Sequence, residues 1–353
     1  MDELEMLTKF RDRVPELDPE GLRAARLALL GRARTAGAPA RLRQRNHRAR
    51  RRWAIPAAVA MAAVALAVAL PVILPGGGPG GAGSAEARAA LHRIALVAAA
   101  RRAEAPPGPG QYYYTRAQAE ESMLFIPGHG LANFEVTGRS TEESWIGTDG
   151  SGRTVTTDTE MTFPSPEDRA AWVAAGSPDL VGMTGARDGD TTEPPGGLYF
   201  LDLSVLPTDP DSLKAVIEER KIVGGPGGDW ETFAIIGEML QETYAPPALR
   251  AALYDVAANL PGVVYVGTVT DAAGRPGLGV AYTHGGIRDE LVFDPNTAQL
   301  LATNSWLVDP GAVGIDVAGE APGTAVAYAG RPGLVYSAVY LASGVVDSTQ
   351  ERP

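Results

Sequence analysis

Residues 263–293, VVYVGTVTDAAGRPGLGVAYTHGGIRDELVF, contain the pattern that decides the fold. Short runs rich in Val, Thr, Tyr and Leu predict strands at Val263–Thr270, Gly277–Thr283 and Glu290–Phe293. The sequence Asp-Ala-Ala-Gly at Asp271–Gly274 separates the first two runs and is typical of a turn. Because consecutive strands joined by short turns form hairpins, this stretch predicts an antiparallel sheet.

The same pattern continues on both sides of this stretch. Downstream, the turn sequence Asp294–Thr297 precedes predicted strands at Gln299–Val308 and Leu334–Val346. Upstream, four short runs rich in Thr and aromatic residues predict an antiparallel meander, at Gln111–Thr115, Leu131–Gly138, Glu143–Gly147 and Arg153–Met161.

Helical patterns flank the meander and separate it from the later strands. Ser165-Pro166 and Asp209-Pro210 are typical helix starts, because a polar cap precedes a proline. The predicted helices are 84–104, Glu167–Ala175, Asp211–Arg220, Asp229–Gln241 and Pro247–Asn259. Strands, then helices, then strands predict an α+β domain, with a curved, half-barrel-like antiparallel sheet that carries helices on one face.

Residues 53–74, WAIPAAVAMAAVALAVALPVIL, predict a single transmembrane helix before this domain. At 1.5 Å per residue the segment spans roughly 33 Å, against a hydrocarbon core of about 30 Å. Arg50, Arg51 and Arg52 precede it and Trp53 begins it, as expected of residues at the membrane interface. The positive-inside rule then places the N-terminal side in the cytoplasm. A buried core helix and a cleaved signal peptide are the alternatives to this signal anchor.

Charge divides the chain at the same point. The chain has a formal net charge of -11, yet residues 1–52 carry 14 basic and seven acidic side chains. We therefore predict a cytoplasmic basic tail with two short helices at 1–52, the transmembrane helix at 53–74, a Gly/Pro linker at 75–83 and an extracytoplasmic domain at 84–353. Attraction to lipid headgroups explains the arginines without a nucleic-acid partner.

Composition excludes several kinds of chemistry. The chain has no cysteine, so it has no disulfide, thiol nucleophile or Cys-bearing zinc site. We predict no metal, no cofactor and no enzymatic activity. Two alternatives remain: a calcium site on the loop that contains Asp188, Asp190 and Glu193, and a hydrolytic site around His129 or His284.

Aromatic side chains provide the candidate ligand-binding residues. Tyr112, Tyr114, Trp145, Trp172 and Trp230 could form the walls of an apolar groove in the extracytoplasmic domain. The alternative interpretation is that these residues belong to the core or to the surface of the sheet.

Several segments together resemble an uncharacterised family of actinobacterial single-pass membrane proteins. They are Met1–Leu4, Asp18–Glu20, Gln111–Thr115, Leu249–Tyr254 and Glu290–Pro295, in addition to the Arg-rich stretch and the anchor. Members are typically encoded beside extracytoplasmic-function sigma factors, so the resemblance implies a role in sigma factor regulation. The domain also resembles the open half-barrels of lipoprotein carriers and sigma regulators.

We therefore expect a membrane-anchored sensor or binding protein of the cell envelope. An envelope ligand would bind the extracytoplasmic domain, and residues 1–31 would bind or release a sigma factor or another cytoplasmic protein. The alternative is an envelope lipid or lipoprotein carrier whose tail is only an anchor, which predicts a continuous apolar cavity. Membrane lipids are expected partners in both cases.

Overall fold

The computed structural model describes residues 85–103, 105–181, 187–198, 203–221, 228–241, 244–312, 324–327 and 331–353. The described residues include five α-helices: α1 (Ala85–Ala99), α2 (Pro166–Ala174), α3 (Pro210–Arg220), α4 (Gly228–Gln241) and α5 (Pro247–Ala258). They also include ten strands: β1 (Tyr112–Ile126), β2 (Phe134–Gly147), β3 (Gly152–Thr162), β4 (Gly189–Glu193), β5 (Val264–Thr270), β6 (Pro276–His284), β7 (Ile287–Phe293), β8 (Leu300–Leu307), β9 (Thr324–Ala327) and β10 (Gly333–Val346).

One antiparallel sheet organises the domain. Nine strands follow the order β4-β3-β2-β1-β10-β8-β7-β6-β5, and β9 pairs with the end of β1. Strand β10 joins the two halves of the chain, because it pairs with β1 on one side and with β8 on the other. The sheet is not closed, since β4 and β5 lie at its two edges. The prediction of an α+β fold on an antiparallel sheet is confirmed.

The helices lie where local signals predict them. Ser165 accepts a hydrogen bond from the backbone N–H of Asp168, and Asp209 does the same for Ser212, with a proline directly after each cap. Capping oxygens and prolines at the first helical position favour helix initiation. The predicted bounds of α2 to α5 are confirmed to within one residue at each end. Helix α1 ends at Ala99 rather than near residue 104.

The first strands differ from the prediction. Strand β1 continues to Ile126, well beyond the predicted end at Thr115, and β2 is one strand of 14 residues where two were predicted. The segment Arg116–Ile126 is rich in Ala, Gln and Glu, which are poor strand formers in isolation. It is extended because β2 pairs along its whole length on one side, while β10 and β9 pair on the other. Strands β4 and β9 were not predicted.

Packing against the helices distinguishes the two faces of the sheet. The main core joins α1, α3, α4 and α5 to sheet residues such as Val280, Leu291 and Phe293. A smaller core joins α2 to Phe125 and Phe134. The cross-strand register Leu291, Thr303, Ala338, Ala119 places both cores on the same side, which we call the helical face. The other side carries Tyr114, Glu143, Trp145 and Glu290, and we call it the polar face.

Residues 1–84 lie outside the described part of the chain, and with them the predicted tail, anchor and linker and the interface residues Arg50, Arg51, Arg52 and Trp53. Among the described residues, no helix has the length and apolar character needed to cross a membrane.

Candidate functional site

Three of the five predicted groove aromatics form one cluster on the polar face. Tyr114 and Trp145 face each other in the register of β1 and β2, with ring centroids 5.1 Å apart and both side chains almost fully buried. Tyr112 and Val346 pack beside them. The other two aromatics lie elsewhere: Trp172, a half-buried residue of α2, packs on Phe163, and Trp230 lies in the first turn of α4. The five aromatics predicted to form one groove therefore lie at three separate places.

A glycine beneath this cluster fixes the position of Trp145. A Cβ atom at Gly152 would lie 2.1 Å from the carbonyl oxygen of Trp145 and 2.7 Å from a methyl group of Leu198. Only glycine lets the start of β3 approach β2 this closely, because real Cβ contacts are not that short. The β2–β3 turn thus packs the backbone of Gly152 directly against the backbone of Trp145.

Residues 347–353, which we call the strap, lie across the aromatic cluster. The indole N–H of Trp145 donates to the carbonyl oxygen of Glu351 at 2.6 Å. Arg153 on β3 donates to the carbonyl oxygen of Thr349 at 3.0 Å and to the side-chain oxygen of Gln350 at 3.1 Å. Two of these three hydrogen bonds reach main-chain carbonyl oxygens of the strap, and the third reaches a side chain.

A charged pair completes the attachment of the strap. Arg352 donates from Nε to Oε1 of Glu143 at 2.5 Å and from Nη2 to Oε2 at 2.8 Å. The Tyr114 hydroxyl donates to the same carboxylate at 2.5 Å. These bonds, Arg352 first, hold the pKa of Glu143 below its usual range although burial opposes the shift. Burial and the neighbouring carboxylate raise the pKa of Tyr114 to about 12.

Two guanidinium groups flank the Trp145 ring. The Cζ atoms of Arg153 and Arg352 lie 5.4 and 5.5 Å from the ring centroid, within the range of cation–π attraction. Arg153 is itself fixed by two hydrogen bonds to Asp190, at 2.9 and 2.8 Å. A carboxylate beside two aromatic rings is an arrangement that binds a cation.

A second cluster of polar side chains lies on the helical face, between α4 and the sheet. Asp289 accepts hydrogen bonds from the indole N–H of Trp230 at 2.7 Å and from the Ser305 hydroxyl at 2.6 Å. His284 stacks on Trp230, with ring centroids 5.3 Å apart. Although part of the Asp289 residue reaches solvent, burial of its carboxyl group raises its pKa.

The next residue along β7 is a buried acid on the opposite face. Glu290 is 3% exposed, accepts a hydrogen bond from Asn304 at 2.8 Å, and has a pKa raised by burial. It belongs to a row of polar residues that runs in cross-strand register over six strands: Glu290, Asn304, Ser337, Glu120, Arg139 and Glu160. Ser337 donates to Asn304, and Arg139 donates to Glu120, each at 2.8 Å.

The interface between α4 and the sheet bears on the carrier hypothesis. Phe233 and Ile236 on α4 are almost fully buried in the main core. A Cβ atom at Gly237 would lie 3.2 Å from a methyl group of Leu291 on β7, so helix and strand are in close contact there. At this point the structure leaves no room for a lipid chain. A small cleft of about 250 Å³ lies at the other end of the sheet and includes the polar side chains of Glu135, Thr137 and Arg331.

The residues of the alternative chemistries lie apart. His129 is exposed in a left-handed turn conformation, and His284 has no hydrogen bond within the described residues. Asp190 and Glu193, expected on a loop, lie on strand β4, where Asp190 accepts hydrogen bonds from Arg153. Asp188, just before this strand, accepts from the backbone N–H of Thr159 at 3.2 Å. In the described ranges, no three acidic or histidine side chains lie close enough together to share a metal ion.

Sequence reasoning missed several residues of both clusters. Glu143, Arg153 and Arg352 were not singled out, and neither were Asp289 and Ser305. Glu143 lies two positions before Trp145, so the alternation of side chains along the strand is a usable signal for it, whereas the strap gives no such signal. Neither protein-family models nor curated proteins yield a match to the chain.

Proposed function

We propose that the chain is a membrane-anchored sensor or binding protein of the cell envelope. Residues 1–52 lie in the cytoplasm, residues 53–74 cross the membrane, and the domain from residue 84 onward lies outside. Two features support this topology: the apolar segment itself, and the nine arginines without an acid in residues 32–52, directly before it. The sheet forms a curved half-barrel with helices on one side. The open edges of the sheet and the packing of both cores on its helical face support this architecture.

One observation in particular supports a sensor. The aromatic surface expected to bind a ligand is occupied by the strap, which is held by partly buried hydrogen bonds and by the half-exposed side chain of Arg352. A surface that binds either its own strap or a ligand has two arrangements, and a ligand that prefers one of them shifts the population. Such a two-state element is what a sensor needs in order to respond.

The output of this sensor is a cytoplasmic protein bound by residues 1–31. The family resemblance and the predicted short helices of the tail support a sigma factor as this partner. A conformational change in the extracytoplasmic domain reaches the tail through the single transmembrane helix.

Two measurements on the full-length chain test this proposal. Topology reporters fused at residue 1 and at residue 353 should report opposite sides of the membrane. The full-length chain should then capture an extracytoplasmic-function sigma factor of the same organism, and a variant without residues 1–31 should not. Capture that is the same with and without the tail segment would refute the regulatory role, and two reporters on the same side would refute the anchor.

A further inference from the structure

The geometry points to a peptide-binding site on the polar face: the surface of Tyr114, Glu143, Trp145 and Arg153 binds a peptide segment that carries an arginine, and the strap is its resident occupant. This inference rests on the proposed function, since it names the chemical class of ligand that would displace the strap.

The contacts that hold the strap are ones that a separate peptide can reproduce. Trp145 and Arg153 donate to main-chain carbonyl oxygens, at residues 351 and 349. Main-chain carbonyls are present in every peptide, so these contacts provide affinity without requiring a particular sequence. Among the strap side chains, Gln350 accepts one hydrogen bond from Arg153, whereas Arg352 donates two to Glu143, so specificity comes chiefly from Arg352.

Arginine fits this surface better than other side chains. The Glu143 carboxylate presents both oxygens to the planar guanidinium, and this two-point geometry is matched by arginine and not by the ammonium group of lysine. The Trp145 ring supplies a cation–π contact to the same group. The Tyr114 hydroxyl keeps the carboxylate oriented from the other side.

Removal of the strap leaves a site that favours a cation. With the strap in place the Glu143 side chain is 12% exposed, and Tyr114 and the cross-strand neighbour Arg116 stay beside it when the strap leaves. The carboxylate then loses its two hydrogen bonds from Arg352, and a guanidinium from another chain restores them. The strap itself can exchange, because the Arg352 side chain is 52% exposed and residues 350–353 are exposed.

The test uses the full-length chain in detergent, with and without residues 347–353. The probes are two labelled peptides, DSTQERP, which is the strap sequence, and DSTQEQP, in which glutamine replaces the arginine. Fluorescence anisotropy should show that the strapless chain binds the arginine peptide about tenfold more tightly than the glutamine peptide. The intact chain should bind the arginine peptide about tenfold more weakly than the strapless chain, because its own strap competes at high effective concentration.

Substitutions assign the binding to this surface. In the strapless chain, Glu143→Gln should remove most of the preference for the arginine peptide, since only the cation–π contact with Trp145 remains, and Glu120→Gln, on the same face beside Arg139, should leave the preference unchanged. If the strapless chain does not fold, Arg352→Gln in the intact chain replaces it, and this variant should bind the arginine peptide more tightly than wild type does. Equal affinity for both peptides, or no binding by a folded strapless chain, would overturn the inference.

The outcome is separable from that of the proposed function. Peptide binding is measured on the extracytoplasmic surface alone, whereas sigma factor capture depends on residues 1–31. A chain that binds the arginine peptide without capturing the sigma factor keeps the site and refutes the regulatory role. A chain that captures the sigma factor but shows no arginine preference refutes the site.

Discussion

The indole N–H of Trp230 lies 2.7 Å from Oδ2 of Asp289, and this bond attaches the first turn of α4 to β7. The Ser305 hydroxyl bonds the other carboxylate oxygen from β8, so one acid joins a helix to two strands. The groups that face Asp289 are Trp230, His284, Tyr282 and Ser305. A positive charge on His284 favours the ionised form of Asp289. The protonation state of Asp289 is therefore coupled to the packing of α4 on the sheet.

The first prediction concerns Asp289→Asn. Because burial raises the pKa of Asp289 above its unfolded value of about 3.9, the folded state binds this proton more tightly than the unfolded state does. The wild type then loses stability as the pH rises from about 4 through the folded pKa, and the variant lacks this loss. In urea unfolding, the free energy of unfolding of the variant should rise relative to that of the wild type by on the order of 1 kcal/mol between pH 4 and pH 7.

The control for this measurement is Asp309→Asn, at an exposed position. It should follow the pH dependence of the wild type. If the free energies of unfolding of Asp289→Asn and wild type differ by a constant amount over this pH range, folding does not raise the pKa of Asp289.

The second prediction concerns Glu290→Gln. Glutamine keeps the oxygen that accepts from Asn304 and removes a charge that burial disfavours. The variant should unfold at higher urea concentration than wild type at pH 7, by on the order of 1 kcal/mol, and the gain should shrink towards pH 4. Glu120→Gln, in the same polar row but partly exposed, should change stability by less than about 0.5 kcal/mol. Destabilisation by Glu290→Gln at pH 7 would contradict the pKa assignment.

The third prediction tests the close approach below the aromatic cluster. Gly152→Ala should destabilise the domain by about 2–3 kcal/mol, because its Cβ would collide with the Trp145 carbonyl oxygen. Gly189→Ala on the adjacent strand β4 is the matched control, since no atom lies within 4 Å of its Cβ position. The control should be neutral or slightly stabilising in urea unfolding. Equal effects of the two substitutions would mean that β3 can move away from Trp145.

The sequence predicted those elements whose signals are local. Caps and prolines at Ser165 and Asp209 marked helix starts, and turn residues at Asp271–Gly274 marked a hairpin that the register of β5 and β6 confirms. The outer part of β1 was missed because Ala117 and Ala119 are small, so their alternation with Arg116 and Gln118 gives a weak signal. Pairing with neighbours on both sides decides that segment, and pairing is not visible in a single strand's sequence.

The sequence predicted only those residues of the candidate site that are aromatic and lie on neighbouring strands. Tyr112 and Tyr114 share a face because side chains alternate along a strand, and β2 adds Trp145 opposite Tyr114. Arg352 lies 209 positions from Glu143 in sequence, so their pairing depends on the path of the chain after β10. No periodicity or motif could place these two residues together.

The last prediction concerns the pH dependence of strap attachment. The Glu143 pKa is lowered, chiefly by the hydrogen bonds from Arg352, so the pair contributes stability above the unfolded pKa of about 4.3. This contribution is lost as the pH falls through the folded pKa. Arg352→Gln should therefore lower the free energy of unfolding by about 1 kcal/mol at pH 7, and the difference from wild type should narrow below about pH 4.

Hydrogen exchange of residues 347–353 gives a local measure of the same event, because amides of a released strap lose protection. Arg352→Gln should lower the protection factors of these residues at pH 7, and acidification should lower the protection factors in the wild type, each taken relative to the intrinsic exchange rate at the same pH. Arg139→Gln is the matched control, since this arginine pairs with Glu120 on the same face without contacting the strap, and its side chain is similarly exposed. Equal strap protection in Arg352→Gln and wild type at pH 7 would show that the remaining contacts hold the segment, and that the Glu143 carboxylate has no part in retaining it.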